Sequence, residues 1–150
     1  MDFKEFEKQC NEIQKENNNL LTLFENDLIK NDLKPKTIYK HLSNVSFYIN
    51  TYLLTVDPLT IRDGIYKLND YFEYFYIRKC MWSTPSNIKT TAASLKKFYK
   101  CMLDYNKITE KAYKDLCKTI KDNMEYWQEE CVMYNDEVNS YFEQLYEEDG

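Results

Sequence analysis

Apolar residues recur at helical spacing along most of this chain. Phe3, Phe6, Cys10 and Ile13, then Leu20, Leu21, Phe24 and Leu28, follow steps of three and four across the Asn-rich stretch 17–19, which predicts one helix or two before Pro35. From Pro35, the residues Ile38, Leu42, Val45, Ile49 and Leu53 build one buried stripe on a helix of about 20 residues. Lys40, Asn44 and Thr51 fall on its opposite side. Between Leu59 and Cys80 lie Tyr66, Tyr71, Phe72, Tyr74, Phe75 and Tyr76. Their β-propensity is high, but the neighbouring segments are helical and a lone strand has nothing to pair with, so this segment also reads as helix. From Pro85, the stripe is Ile88, Ala92, Leu95, Tyr99 and Met102, and Asn106 supplies a left-handed C-terminal turn.

Punctuation agrees with periodicity. Each proline follows a residue at which a helix can begin, Lys34-Pro35, Asp57-Pro58 and Thr84-Pro85, where its missing N–H costs nothing. Asp57, Thr84 and Thr109 suit N-caps. After Thr109 no proline or glycine occurs until Gly150, and two interleaved sets, Tyr113, Ile120, Trp127, Tyr134, Tyr141 and Cys117, Met124, Cys131, Val138, Leu145, repeat every seven residues. This heptad seam serves either to close a long helix or hairpin over its own domain or to pair with another chain.

The predicted fold class is therefore all-α, a compact orthogonal bundle of five to seven helices with an acidic C-terminal helical extension. At 150 residues one domain should bury roughly 68–70% of its unfolded surface. Two glycines, Gly64 and Gly150, exclude phosphate-cradling glycine loops. One histidine, His41, excludes metal sites built on several imidazoles. The five cysteines, at 10, 80, 101, 117 and 131, contain no CxxC and read as reduced thiols packed as small hydrophobes. No cofactor site is visible, so the expectation is none. The charged start MDFKEFEK lacks the apolar segment of a secretory leader, and no window approaches ~18 consecutive apolar residues, which predicts a soluble, cytoplasmic protein without a membrane partner.

Charge is unevenly spread. Residues 1–27 carry −4, residues 28–120 carry +8 and residues 121–150 carry −9, within a net −5. A basic middle between acidic ends directs attention to a nucleic-acid partner. At 100° per residue from Ile88, the residues Lys89, Lys96, Lys97 and Lys100 form a basic stripe between roughly 80° and 180°. Such a stripe either solubilises a helix surface or contacts phosphates. Opposite fields attract, so the acidic end is expected to compete for the basic face in cis.

Two stretches carry a family resemblance. Leu20-Leu21 through Phe24 and Leu28, then Leu33-Lys34-Pro35-Lys36-Thr37-Ile38 and the amphipathic helix to Leu53, resemble the first helical pair of the N-terminal core-binding (SAM-like) domain of tyrosine recombinases, the phage-integrase family. Residues 83–108, STPSNIKTTAASLKKFYKCMLDYNKI, resemble that domain's last core helix. The resemblance covers about residues 18–110, leaving 1–17 as an N-terminal helical extension and 111–150 as an acidic helical segment packed on the same domain. It implies a small bundle that clasps one face of double-stranded DNA through its phosphate backbone. Lys36, Lys40, Asn44, Lys89, Lys96, Lys97 and Lys100 are the candidate DNA contacts. The family's separate cleavage domain needs a nucleophilic Tyr amid two Arg with His and Lys, whereas this chain offers only Arg62, Arg78 and His41, none in an HxxR spacing. The expectation is thus a non-catalytic DNA-binding module of recombination or integration, not an enzyme. The alternative is a protein-interaction or oligomerisation module without DNA.

Single residues read conservatively. His41 sits at the boundary of its helix's apolar face and is expected to be half-buried and hydrogen-bonded. Glu125, Glu129 and Glu130 read as a solvated face because no ExxH pair accompanies them. Trp82 and Trp127 are core residues or interface anchors.

Overall fold

The computed structural model describes residues 1–80 and 83–149, with side chains to 147. Trp82 lies outside the described residues. Helix α1 (Phe3–Lys30) opens on Asp2, whose carboxylate accepts the Glu5 amide at 2.8 Å, and runs unbroken through the asparagines. Helix α2 (Pro35–Ser46) continues into a π-wound stretch, Phe47–Tyr52. Short helices α3 (Ile61–Gly64) and α4 (Leu68–Asp70) follow, then a second π-wound stretch, Tyr71–Phe75, that runs directly into α5 (Tyr76–Lys79). Helices α6 (Pro85–Asp104) and α7 (Glu110–Asp149) complete the chain. Winding is continuous across both π stretches, so the described residues make six helical rods and no strand.

Most of the predicted starts are in place. Thr84 and Asn87 form a reciprocal capping box at the head of α6, and the Thr109 hydroxyl accepts the Ala112 amide at 3.1 Å at the head of α7. Asn106 is left-handed, with φ 59°. Asp57-Pro58 differs: no helix begins there. The start lies further on at Thr60, because its hydroxyl and the Asp63 carboxylate form a capping box that Pro58 cannot match. Asp32, with φ 58°, makes the α1–α2 turn that the sequence reading passed over.

The aromatic segment is helical, as expected, but with wider winding. The Leu53 amide reaches back five residues to the Tyr48 carbonyl (3.0 Å), and the Tyr76 amide reaches the Tyr71 carbonyl in the same way. The two widened turns face each other. Tyr48–Tyr71, Tyr52–Tyr71 and Tyr52–Phe75 ring centroids lie 4.7, 4.9 and 4.9 Å apart. Aromatic pairs of this kind contribute roughly 0.5–1.5 kcal/mol beyond area burial. Winding by five frees backbone carbonyls, and buried Asn17 of α1 answers one: its amide donates to the Ile49 carbonyl at 3.2 Å and to Asn50 Oδ1 at 2.9 Å.

Gly64 sits where the short α3 meets this cluster. A Cβ there would lie 2.7 Å from Leu53 Cδ1 and 2.8 Å from the Tyr99 hydroxyl. Tyr48 donates to the Gly64 carbonyl, and Tyr99 donates to the Ile61 carbonyl at 2.7 Å. The Tyr71 hydroxyl, fully buried, finds no hydrogen-bond partner among the described residues.

Helix α7 is one rod of 40 residues, about 60 Å at 1.5 Å per residue. It packs antiparallel to α6. Leu116, Trp127 and Cys131 are fully buried, Trp127 stacks 4.7 Å from Phe72, and its indole N–H donates to Asn69 at 3.0 Å. Trp127 is therefore core. Near the start of α6, Cys131 and Asn135 both donate to the Ser83 carbonyl (3.2 and 2.7 Å), and Gln128 donates to the Pro85 carbonyl. Up to Tyr134 the heptad seam faces the body of its own chain. Beyond it the helix overhangs, with Tyr141 and Tyr146 exposed by 60% and 82%. The acidic end therefore runs along α6 and past it, and among the described residues none of its carboxylates forms an ion pair with Lys89, Lys96, Lys97 or Lys100. A continuous α-helix cannot reverse direction. The five cysteines are unpaired, and no described helix is long and apolar enough to cross a membrane.

Gly64→Ala should cost about 1–3 kcal/mol, because the added methyl meets Leu53 and Tyr99 at impossible distances. Tyr99→Phe should cost about 1 kcal/mol by orphaning the Ile61 carbonyl, whereas Tyr71→Phe should be neutral or stabilising because it removes an unpaired buried hydroxyl. Urea midpoints of the three variants check both expectations.

Candidate nucleic-acid interface

The seven candidate residues divide between two packed helices. Lys36 and Lys40 are exposed on α2, and Lys89, Lys96, Lys97 and Lys100 are exposed on α6. Their helices meet at His41. Its Nδ1 lies 2.7 Å from the Ser94 hydroxyl, to which Asn44 also donates at 3.1 Å. Asn44 is therefore half-buried and occupied in holding α2 to α6. The Ser94 hydroxyl also lies 3.2 Å from the Thr90 carbonyl, so both helices share one buried polar knot.

His41 is buried, more so than its boundary position suggested. Burial lowers its pKa below the ordinary imidazole value, and the charges of Lys97 and Lys40 lower it further. Lys97 of α6 and Lys40 of α2 therefore both disfavour a proton on this ring, and Lys36 lies one turn from Lys40.

On the other flank of α6, Lys96, Lys97 and Lys100 border a groove of about 610 Å³ against the C-terminal end of α1. Phe24, Leu28, Leu33 and Ala93 supply apolar wall, and Asp27 and Asp104 place carboxylates in it. Lys100 Nζ lies 2.7 Å from Asp104, and this hydrogen bond raises the lysine pKa. Lys100 is consequently the one candidate lysine with an ion-pair partner among the described residues, and Lys36, Lys40, Lys89, Lys96 and Lys97 make the cationic surface.

No family model, no curated protein and no solved structure matches this chain.

Two participants were absent from the sequence reading. Ser94 lies about 240° from Ile88 on the helical wheel, at the edge of the buried arc, so a small hydroxyl there signals a cross-helix hydrogen bond. Asp104 stands four residues after Lys100, the spacing at which helix side chains pair. Elsewhere, no cluster of three or more His, Cys, Asp or Glu among the described residues could hold a metal ion. Cys101, buried near Asp27 and Asp104, has its thiol pushed up to about 11, chiefly by burial.

The lowered His41 pKa sets a pH dependence. The unfolded chain takes up a proton at about pH 6.5 while the folded chain resists until lower pH, so stability is full above that value and falls as pH drops below it. Replacing His41 with Gln should flatten the thermal-stability profile in the window just below pH 6.5, read by calorimetry at half-unit steps. A variant profile parallel to that of the parent would assign the slope to other groups.

Proposed function

We propose that this chain is a non-catalytic DNA-binding module of the recombinase core-binding type, acting through the phosphate backbone of duplex DNA. The observation that carries the reading is that the His41–Ser94–Asn44 hydrogen bonds hold α2 against α6 while both helices expose lysines, Lys36 and Lys40 on one and Lys89, Lys96 and Lys97 on the other. Lysine ammonium groups act as point charges toward phosphate and carry no base-edge code, so the binding expected is weakly sequence-selective. The helical-bundle architecture is compatible with the resemblance at residues 18–110. With five exposed lysines that make no ion pair among the described residues, about four phosphate contacts would make affinity fall roughly 10²-fold between about 50 and 200 mM salt.

Anisotropy of a labelled random duplex of about 30 base pairs at those two salt levels tests the reading. Lys89→Glu with Lys96→Glu and Lys97→Glu should abolish binding while leaving the melting temperature nearly unchanged, as exposed substitutions usually do. Because His41 is the sole histidine, its imidazole proton resonance can be followed without assignment. Phosphates drawn to Lys40 and Lys97 favour the protonated ring, so saturating duplex should raise the His41 pKa. Absence of salt-sensitive binding by the parent chain would leave the interaction-module reading in its place.

A further inference from the structure

The overhanging end of α7 and the groove beside α6 are complementary, yet one chain cannot bring them together. Between residues 136 and 147 the helix carries Asp136, Glu137, Glu143 and Glu147, all exposed, and no Lys or Arg. The heptad seam continues there as half-buried Val138 and exposed Tyr141 and Leu145, beside the highly exposed Tyr146. An acidic helix with an apolar ridge needs a partner with apolar wall and cationic rim. The groove bordered by Lys96 and Lys97 has both, its accessible apolar atoms coming from Leu33 and Ala93 over a floor of buried Phe24 and Leu28. Asp27 and Asp104 also line the groove and Lys100 is tied to Asp104, so the lysines left for the attraction are Lys96 and Lys97.

Geometry excludes the contact in cis. Tyr113, at the near end of α7, lines the groove, and Tyr141 lies 28 residues further along the same unbroken helix, about 42 Å away. Pairing two overhangs side by side is disfavoured as well, because each brings six acidic residues past Tyr134 and no cation. The remaining arrangement is reciprocal. We propose that two copies of this chain associate by seating the α7 overhang of each in the α1–α6 groove of the other, the apolar ridge inward and its carboxylates against Lys96 and Lys97. Exchange of one element in both directions closes under two-fold symmetry, so it ends at a dimer. Its cationic rim overlaps the surface assigned above to DNA, but association of copies stands or falls independently of DNA binding.

Sedimentation velocity over a concentration series tests this without nucleic acid. The full chain should dimerise at about 50 mM salt and dissociate progressively toward about 300 mM as the charges are screened. Lys96→Glu with Lys97→Glu should be monomeric, and so should Glu143→Lys with Glu147→Lys. Mixing these two variants restores opposite charge at both contacts and should recover the dimer. Circular dichroism of each variant confirms that helix content is unchanged. A parent chain that stays monomeric throughout overturns the proposal. Dimerisation that the lysine reversals leave intact overturns it too, as does a mixture that fails to associate. Stronger association of the Glu143→Lys, Glu147→Lys variant alone would point to overhang-to-overhang pairing instead.

Discussion

The contact on which the fold depends is the interlock of two π-wound turns. Each is an aromatic stretch, FYINTY and YFEYF, and each widens its helix enough to lay rings across the other. The remaining elements attach to that interlock by specific bonds. Asn17 ties α1 to the freed Ile49 carbonyl, Tyr48 ties the cluster to Gly64 of α3, Tyr99 brings in α6 through Ile61, and Phe72 stacks on Trp127 of α7. Polar groups at these points are few, and nearly every one is answered, as burial at low dielectric requires. Tyr71, at the centre, is the exception.

The helical architecture was legible because apolar spacing and caps agree along most of the chain. Residues such as Ile88, Ala92, Leu95, Tyr99 and Met102, spaced three and four apart, all reached the core. The winding of residues 47–52 and 71–75 was not legible, since π turns arise from packing between distant segments and leave the apolar spacing nearly unchanged. The start at Thr60 was missed for a related reason. A proline suggests where a helix can begin, while a reciprocal cap such as Thr60 with Asp63 decides where it does.

The basic face was legible residue by residue and not as a surface. Helical-wheel angles placed Lys89, Lys96, Lys97 and Lys100 on one flank of α6, and they are exposed there. That Lys40 of α2 would share His41 with Lys97 of α6 depends on how the two helices cross, a tertiary fact fixed by Ser94. Asn44 shows the reverse. On the wheel of α2 it belongs with Lys40, but its amide is drawn inward by the same hydroxyl. Likewise the heptad seam of α7 was correctly seen as a seam, and only packing distinguishes the part turned to Phe72 from the part that carries Tyr141 into solvent.

Each π turn amounts to one extra residue threaded into an α-helix. Deleting a single residue from 47–52 would close that turn to regular α winding and leave the positions after it on the faces they now hold, so the rod itself would persist. What would go is the widening: the Ile49 carbonyl would return to the helix ladder and no longer accept from Asn17, and the rings of Tyr48 and Tyr52 would be drawn back from Tyr71. The extra residue in each aromatic stretch is thus a spacer between helices, and its removal would separate the two rods without disturbing the register of either.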